Sequence, residues 1–318
     1  MTIQILLLLL GFVLLIKGAD WLVDGGAALA RKYHVSELAI GLTIIAFGTS
    51  MPEMVVNVFA AYKGHADIVY GNILGSNIFN LLGILGIAGL ISPLIVQAST
   101  VWKEIPLSLL AVVILYLLSN SIFTQNELLS RWDGIILLLV FAFFLYYVFR
   151  QLKEENTVSV EEQHKEFTIF KIIVFIVLGL ALLVVGGRLV VNNAVKIAEF
   201  LGISQTIIGL TIVAVGTSLP ELATSVVAAI KKNNDIAVGN IIGSNIFNIF
   251  FIMGVSSLIR PIEYNTKFNF EMYFLSFGTI LVFIAMFSGK KRRLDRWEAG
   301  ILLLMYVGYT ILLINEQI

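Results

Sequence analysis

The sequence predicts an all-α polytopic membrane protein with ten transmembrane helices, arranged as two inverted five-helix repeats with broken helices at the core. Three observations predict this fold: the composition, ten long apolar segments and an internal duplication. Of the 318 residues, 58% are hydrophobic and only 13% are charged, whereas a soluble chain has about 25% charged residues. The chain is therefore predicted to lie in a lipid bilayer.

The composition also excludes several classes of protein. Twenty-one basic residues balance 21 acidic ones, and the chain has no Cys and only three His. The neutral balance creates no field that would attract nucleic acid, and the lack of Cys removes disulfide scaffolds, thiolate nucleophiles and the usual zinc ligand sets. The core has no nucleophile–base pair, so an enzyme is disfavoured. We predict no cofactor and no obligatory protein partner, and expect any bound metal to be a hard cation held by oxygen.

Ten segments are apolar over the roughly 20 residues that a membrane-spanning helix needs. They fall near residues 2–24, 36–62, 67–92, 102–121, 131–150, 168–198, 204–230, 235–259, 267–288 and 295–315. The first could be the core of a signal peptide, but it has no basic leader. The polar stretch 151–167 is interpreted as a solvated cytoplasmic linker. It separates a first five-helix repeat at 1–150 from a second at 168–318.

The distribution of Lys and Arg predicts the orientation, because these residues accumulate on the cytoplasmic side. One set of alternate loops holds 14 of them and the other set holds 5. The first set includes the loops at 31–35 and 290–294, so these loops are predicted to be cytoplasmic and both termini outside. The basic run KKRRLDR at 290–296 is interpreted as a topology signal rather than a lipid-regulatory segment.

An internal duplication is the strongest structural signal in the sequence. Residues 41–53 match residues 209–221 at ten of thirteen positions, and residues 71–80 match residues 239–248 at nine of ten, both at an offset of 168. The duplicated segments occupy 36–92 and 204–259. Because each repeat has five spans, an odd number, the second is predicted to insert upside down. Such inverted repeats place their binding site at the bilayer midplane, where broken helices meet.

Two prolines predict where the helices break. Pro52 and Pro220 each follow a Gly-Thr-Ser segment, and neither can donate a hydrogen bond to the carbonyl of the glycine four residues earlier. The helix is expected to open there and to free backbone oxygens as ligands. Beside each break, two hydroxyls and one carboxylate project to the same side. The two sets are Thr49, Ser50 and Glu53, and Thr217, Ser218 and Glu221.

Glu53 and Glu221 are the only carboxylates deep in the predicted spans. A charge at that depth costs several kcal/mol unless it is paired or solvated, and no basic residue in the spans is placed to pair with both. A cation is therefore the expected partner, the alternative being protonated acids that support helix contacts. Four aspartates are given other roles, namely interfacial capping for Asp20 and Asp24 and N-capping for Asp67 and Asp235.

A polar stripe follows each broken helix. It consists of side chains at i, i+4 and i+8, which are Asn72, Ser76 and Asn80 in one half and Asn240, Ser244 and Asn248 in the other. Each stripe ends 27 residues after the glutamate of its half, which favours site-lining over simple hydrogen bonds between helices for the serines and the last asparagines. Carboxylate, hydroxyl, amide and carbonyl oxygens suit Ca²⁺ better than Mg²⁺, because magnesium resists dehydration.

These motifs resemble a known family. GTSMPE with GNILGSNIFN, and GTSLPE with GNIIGSNIFN, closely resemble the two α-repeats of the sodium/calcium exchangers, of the prokaryotic type, in the calcium:cation antiporter superfamily. The resemblance covers essentially the whole chain. It implies antiport of three Na⁺ for one Ca²⁺ across the plasma (inner) membrane, alternating access by sliding of the first and sixth helices, and calcium extrusion as the usual direction.

The resemblance also implies a role for each site residue. Glu53 and Glu221 would be ligands of both calcium and sodium, joined in the calcium site by Thr49 and Thr217. Asn80 and Asn248 would border the centre. The flanking sodium sites would be formed by two mirrored sets, Ala46, Thr49, Ser50, Ser76 and Glu221, and Ala214, Thr217, Ser218, Ser244 and Glu53.

Asn248 departs from the pattern of several relatives and of the potassium-dependent branch, which carry Asp at this position. Asn at both central positions leaves one acid fewer, which argues against potassium coupling. The proton-coupled branch has a GNxxE pattern in its acidic helices, so GTSxPE favours sodium over protons. Three alternatives remain open: a proton/calcium antiporter or exchanger of another divalent ion, a passive cation channel, and a membrane scaffold. A scaffold would have no reason to repeat the acidic broken helix.

Overall fold

The computed structural model describes residues 1–120, 127–154, 167–202, 214–289 and 291–315. The helices are α1 (Thr2–Tyr33), α2 (Glu37–Thr49), α3 (Met51–Lys63), α4 (Ala66–Ile91), α5 (Thr100–Ser119), α6 (Arg131–Glu154), α7 (Ile169–Phe200), α8 (Ala214–Gly216), α9 (Leu219–Ile230), α10 (Asn234–Ile259), α11 (Thr266–Ala285) and α12 (Arg296–Asn315). The strands are β1 (Leu94–Ile95), β2 (Leu128–Leu129), β3 (Ile262–Glu263) and β4 (Arg293–Leu294).

Eight of the described helices are long and apolar enough to cross a membrane, and the bent pair α2 and α3 adds a ninth candidate. The predicted class, a predominantly helical polytopic membrane protein, is therefore confirmed. Residues 203–213 lie outside the described part of the chain, and the predicted span at 204–230 begins within them. Most of the predicted linker also lies outside the described residues. The count of ten spans stays a prediction.

The first helix is longer than its predicted span, which ended at residue 24. It has 32 residues, as does α7, and each is about 48 Å long at 1.5 Å per residue. A hydrocarbon core of about 30 Å requires such helices to tilt. They cross in antiparallel fashion, with Gly11 against Gly186 and Gly18 against Gly179, because only glycine allows the backbones to come this close.

Gly18→Ala is expected to destabilise the protein by about 1–3 kcal/mol, the usual range for an overpacked contact. The new Cβ would lie 2.7 Å from the carbonyl oxygen of Gly179, which as backbone cannot move aside. Thermal unfolding in detergent measures the effect. Gly308→Ala on α12 is the matched control, because a Cβ there meets nothing within 4 Å. Equal losses of stability in the two variants would contradict the close crossing.

The predicted break in the first half is present. Helices α2 and α3 meet at an angle of 50°, with Ser50 between them at φ −82° and ψ 8°. Pro52 is the second residue of α3, where its missing N–H removes no helical hydrogen bond. Ser218 has nearly the same geometry before α9, with φ −90° and ψ 10°. Both carboxylates predicted to follow a break therefore lie in the first turn of a new helix.

The helices that carry the polar stripes contain π-helical turns, which the sequence analysis did not predict. They span Phe79–Ile84 in α4 and Phe247–Met253 in α10. Asn80 and Asn248 are each the second residue of such a turn. A π turn adds a residue to the helical repeat and is frequent at functional sites. The side chains beyond Ser76 and Ser244 therefore do not continue a strict i, i+4 spacing.

Two short two-stranded antiparallel sheets connect loops that are distant in the sequence. Strand β1 pairs with β4, and β2 pairs with β3. Each sheet joins loops that the count of Lys and Arg assigned to the same side of the membrane. The contact between the side chains of Gln97 and Asp235, at 2.7 Å, also joins two loops of one side. These contacts are consistent with the predicted alternation of loops.

The capping roles predicted for four aspartates are wrong. The N-cap residues of α4 and α10 are His65 and Asn233. Because each of the four aspartates has a partner from a distant segment, none is needed as a cap. The partners are Lys267 for Asp67, Gln97 for Asp235, and Lys231 for both Asp20 and Asp24, which lie in mid-helix because α1 continues past its predicted end.

Candidate cation-binding site

The two glutamates that the sequence singled out are fully buried, with none of their surface exposed. Each is held by the serine at the break of the opposite half. Ser50 Oγ donates to Glu221 Oε1 at 2.9 Å, and Ser218 Oγ donates to Glu53 Oε1 at 2.9 Å. The structure therefore brings together the two broken helices, which lie 168 residues apart in the sequence.

The two predicted stripe serines have different surroundings. Ser76 Oγ donates to Glu53 Oε1 at 3.5 Å and lies 3.0 Å from Ser218 Oγ. Ser244 is buried, and its Oγ has no hydrogen-bond partner. Glu53 therefore accepts hydrogen bonds from two serines, whereas Ser50 is the one serine with a hydrogen bond to Glu221 among the described residues. This difference breaks the equivalence of the two halves.

The predicted threonines contact the first asparagine of the opposite stripe. Thr49 Oγ1 donates to Asn240 Oδ1 at 3.0 Å, and Thr217 Oγ1 donates to Asn72 Oδ1 at 3.3 Å. Thr49 Oγ1 also lies 3.3 Å from the carbonyl oxygen of Ala46, which is one of the predicted backbone ligands. Its counterpart Ala214 begins the short helix α8. Thr49 and Thr217 directly precede the serines at the breaks, and Ala46 and Ala214 lie three residues before these threonines.

Asn80 and Asn248 are buried and use their amide nitrogens away from the glutamates. Asn80 Nδ2 donates to Asn245 Oδ1 at 3.2 Å, and Asn248 Nδ2 donates to Asn77 Oδ1 at 2.9 Å. Their Oδ1 atoms are left buried without a partner. Two amide oxygens therefore remain available as ligands.

Four buried oxygens at symmetry-related positions have no hydrogen-bond partner: Oε2 of Glu53, Oε2 of Glu221, Oδ1 of Asn80 and Oδ1 of Asn248. In the described part of the chain, neither glutamate forms an ion pair. A buried acceptor without a partner costs about 1–3 kcal/mol, and more when it is charged. Carboxylate and amide oxygens are the ligand types that a hard cation such as Ca²⁺ takes.

Several buried polar residues were missed in the sequence. Asn77 and Asn245 lie off the i, i+4 stripe, and the signal for them was their identical place in the two GSNIFN segments. Asn57 Nδ2 donates to the carbonyl of Glu53 at 2.7 Å. Glu104 is a third fully buried carboxylate, but its partner is the hydroxyl of Tyr147, outside the glutamate cluster.

A cavity of about 170 Å³ reaches the break of the second half. Its walls are formed by α3, α7 and α9, with Pro52, Val55, Arg188, Thr217 and Pro220 among the lining residues. Most of its surface is apolar. The cavity therefore approaches the glutamate cluster from one face of the protein, beside Thr217.

The comparison with known proteins adds a family to this geometry. The chain matches the family model described as sodium/calcium exchanger protein over residues 3–150 and 171–315. It is similar to the putative antiporter CaxA of Alkalimonas amylolytica, with 39% identity over 99% of this chain and 100% of that protein. It is also 40% identical to the inner membrane protein YrbG of Escherichia coli strain K12, over 83% of this chain and 82% of YrbG.

A solved structure agrees with these matches. The sodium-calcium exchanger NCX_Mj, soaked with Na⁺ and without Ca²⁺, matches with a TM-score of 0.82 and 34% identity, over 96% of this chain and 98% of that one. A helical membrane protein with a buried cluster of oxygen ligands has the features of a cation transporter rather than of an enzyme. The chain belongs to the sodium/calcium exchanger family, whose members are antiporters with Na⁺ and Ca²⁺ as substrates.

Asn248→Asp is expected to shift the calcium concentration for half-maximal exchange by about tenfold or more, which is a change of about 1.4 kcal/mol. The new carboxylate adds a third acid to the cluster and removes the N–H group that donates a hydrogen bond to Asn77 Oδ1. Calcium exchange is measured against pH, because a third acid also introduces proton competition. Asn248→Ala is expected to be milder than either glutamate substitution. An unchanged cation and pH dependence in the Asp variant would exclude residue 248 from the site.

Proposed function

We propose that this protein is a secondary active antiporter that exchanges sodium for calcium. About three Na⁺ move for each Ca²⁺, so that transport is electrogenic, and the site opens to each side in turn. Calcium extrusion is the proposed direction. The family assignment supports antiport of these two ions, and the sodium/calcium exchanger MaX1 of Methanosarcina acetivorans is a relative with 33% identity over 98% of this chain.

One observation carries this proposal. Among the described residues, two carboxylates lie in the polar cluster, Glu53 and Glu221, and each is buried with one oxygen free of partners, next to hydroxyl and amide groups of both halves. Ca²⁺ would be bound by Glu53, Glu221, Thr49 and Thr217, with Asn80 and Asn248 beside it. Na⁺ would be bound in two flanking sets, one of Ala46, Thr49, Ser50, Ser76 and Glu221, the other of Ala214, Thr217, Ser218, Ser244 and Glu53.

The architecture that we propose for this transport is ten helices in two inverted repeats, residues 1–150 and 168–318, joined by a linker at 151–167. The reciprocal contacts support it. Ser50 contacts Glu221 as Ser218 contacts Glu53, and the crossing of Gly11 with Gly186 is mirrored by that of Gly18 with Gly179. Inverted repeats of this kind expose one central site alternately to the two sides.

A proton/calcium antiporter and a passive cation channel are the competing functions. Calcium uptake into proteoliposomes separates them. An imposed sodium gradient is expected to drive uptake, whereas a proton gradient of equal size is not. If a proton gradient alone drives calcium uptake as fast as the sodium gradient does, the protein is a proton/calcium antiporter. Calcium flux without any counter-ion would indicate a channel.

We further propose that the protein lies in the plasma (inner) membrane with both termini outside. The relative YrbG is an inner membrane protein, which supports the location. The loops at 31–35 and 290–294 would then be cytoplasmic. The chain contains no cysteine, so Arg292→Cys is expected to react with an impermeant maleimide only from the cytoplasmic side. Reaction only from the outside would reverse the orientation.

A further inference from the structure

The last asparagines of the two stripes are oriented by a second pair of asparagines. Asn77 Nδ2 donates to the carbonyl of Asn245 at 3.2 Å, and Asn245 Nδ2 donates to the carbonyl of Asn77 at 3.2 Å. Because each nitrogen is fixed on a backbone oxygen, each Oδ1 must face the other way. Asn77 Oδ1 accepts a hydrogen bond from Asn248 Nδ2, and Asn245 Oδ1 accepts one from Asn80 Nδ2. All four side chains are buried.

This arrangement determines which atom of the Asn80 and Asn248 side-chain amides is left without a partner. If Asn248 turned over, its Oδ1 would face Asn77 Oδ1, and two acceptors would lie within hydrogen-bond distance without a proton between them. Its Nδ2 would then take the place of the unpartnered oxygen. An amide nitrogen carries no lone pair that can bind a cation, and its protons repel one. Asn77 and Asn245 therefore exclude the orientation of Asn248 and Asn80 in which Nδ2 would replace the ligand oxygen Oδ1.

We propose that Asn77 and Asn245 are positioning residues that hold the amide oxygens of Asn248 and Asn80 toward the transported cation. This role rests on the proposed function, since it presumes that a cation binds between the glutamates. Asn77 and Asn245 do not touch the ion themselves. They act by fixing the orientation of the side-chain amides of Asn248 and Asn80.

A double-substitution cycle tests the role. Asn77→Ala is expected to weaken calcium binding by about fivefold or more in the wild-type background, as for the loss of one buried hydrogen bond. In an Asn248→Asp background the same substitution is expected to cause no loss of calcium affinity, because Asn77 Oδ1 there faces a carboxylate oxygen and no longer holds an amide donor. A carboxylate presents an oxygen whichever way it is turned, so it needs no orienting partner.

Calcium affinity is measured by titration of the purified protein in detergent, and thermal unfolding is followed for each variant. Equal losses of affinity in both backgrounds would show a merely structural role and overturn the proposal, as would an unchanged affinity in Asn77→Ala alone. The mirror cycle, Asn245→Ala with Asn80→Asp, serves if Asn77→Ala does not fold. Failure of the wild-type protein to bind calcium would instead contradict the proposed function.

A separate observation concerns the middle of α1. Lys231, which follows α9, lies 2.7 Å from Asp20 Oδ1 and 2.7 Å from Asp24 Oδ1, and its Nζ also donates to the carbonyl oxygen of Asp20 at 3.2 Å. Lys17 adds a longer contact of 4.0 Å to Asp20. These ion pairs join α1 to the end of α9.

The equivalent positions in the other half cannot form this contact. At the offset of 168, Lys231 corresponds to Lys63, Asp20 to Arg188 and Asp24 to Asn192. Two cations and an amide replace one cation and two carboxylates. Arg188 and Asn192 instead line the cavity that reaches Thr217. Ion pairs thus join α1 to the end of α9 on the Lys231 face, whereas on the Arg188 face the corresponding residues line a cavity.

We propose that Lys231, Asp20 and Asp24 form a latch that keeps the site closed on the Lys231 face and favours the state that is open on the Arg188 face. This role rests on the alternating access described under the proposed function. Breaking the latch is expected to shift the population toward a state that is open on the Lys231 face. Lys63, the counterpart of Lys231 in the first half, has no acids at the corresponding positions, so its substitution is not expected to produce that shift.

Cysteine accessibility tests the latch. Val55→Cys lines the open cavity, and Ala223→Cys occupies its mirror position on the closed face. Lys231→Gln is expected to raise the maleimide reaction rate of Ala223→Cys severalfold and to lower that of Val55→Cys, and Lys231→Arg is expected to restore both. Lys63→Gln is the matched control. Unchanged rates in Lys231→Gln, or the same shift in Lys63→Gln, would overturn the latch.

Asp24→Asn provides a second way to break the latch if Lys231→Gln does not fold. The labelling measures which face is open and needs no transport. It therefore separates the latch from the proposed exchange reaction. A protein that responds to Lys231→Gln but moves no calcium in a sodium gradient would contradict the proposed function and leave the latch supported.

Discussion

Glu53→Gln and Glu221→Gln are each expected to abolish calcium exchange while the protein still folds. In both variants the remaining side-chain oxygen can keep accepting the serine hydroxyl, from Ser218 or Ser50. The unpartnered oxygen becomes an amide nitrogen or loses its charge, so calcium loses a ligand and the other carboxylate is left uncompensated. Removing one partner of a buried charge pair costs about 2–5 kcal/mol, which lowers affinity by roughly 30-fold or more.

Calcium flux into proteoliposomes and thermal unfolding are measured together for each glutamate variant. Glu104→Gln is the matched control, because Glu104 is equally buried but bonds to Tyr147 rather than to the polar cluster. Wild-type flux in either Glu53→Gln or Glu221→Gln would exclude that residue from the site. An equal loss of flux in Glu104→Gln would show that any buried carboxylate matters, and that the loss reports on folding rather than on ligation.

Sodium-coupled exchange is expected to be electrogenic, with one net positive charge moving in each cycle. Two carboxylates neutralise one Ca²⁺, whereas three Na⁺ leave one positive charge over. A tenfold sodium gradient supplies about 1.4 kcal/mol per ion, so three ions supply about 4.2 kcal/mol. One net charge at about 100 mV adds about 2.3 kcal/mol. The total of about 6.5 kcal/mol sustains a calcium gradient of more than about four powers of ten, against about two powers for two sodium ions alone.

Calcium uptake into sodium-loaded vesicles checks this stoichiometry, with potassium and valinomycin setting the voltage. Uptake is expected to increase as the vesicle interior becomes more positive, because each cycle moves one net positive charge outward, and to stop when choline replaces sodium. Uptake that does not respond to voltage would refute the ratio of three to one. Uptake that continues in choline would refute sodium coupling itself.

Much of the fold could be predicted because its causes are local. A proline lacks an N–H wherever it stands, so the break before Pro52 follows from the sequence alone. Apolar stretches predict helices that cross a membrane, but not their lengths outside it, which is why α1 continues nine residues past its predicted end at residue 24. The π turns at Asn80 and Asn248 were not predicted, because a π turn depends on how neighbouring helices pack and has no residue signature of its own.

The sequence by itself determined the membrane class of this protein, the two breaks and the duplication of its motifs, since composition, a missing N–H and repeated motifs are properties of the covalent chain. Only the tertiary structure decided which partner each buried polar group takes. Asp20 lies 211 residues from Lys231, and Asn77 lies 171 residues from Asn248. Such contacts form when helices from opposite halves pack together, and that packing brings into hydrogen-bond distance groups that no local stretch of sequence contains.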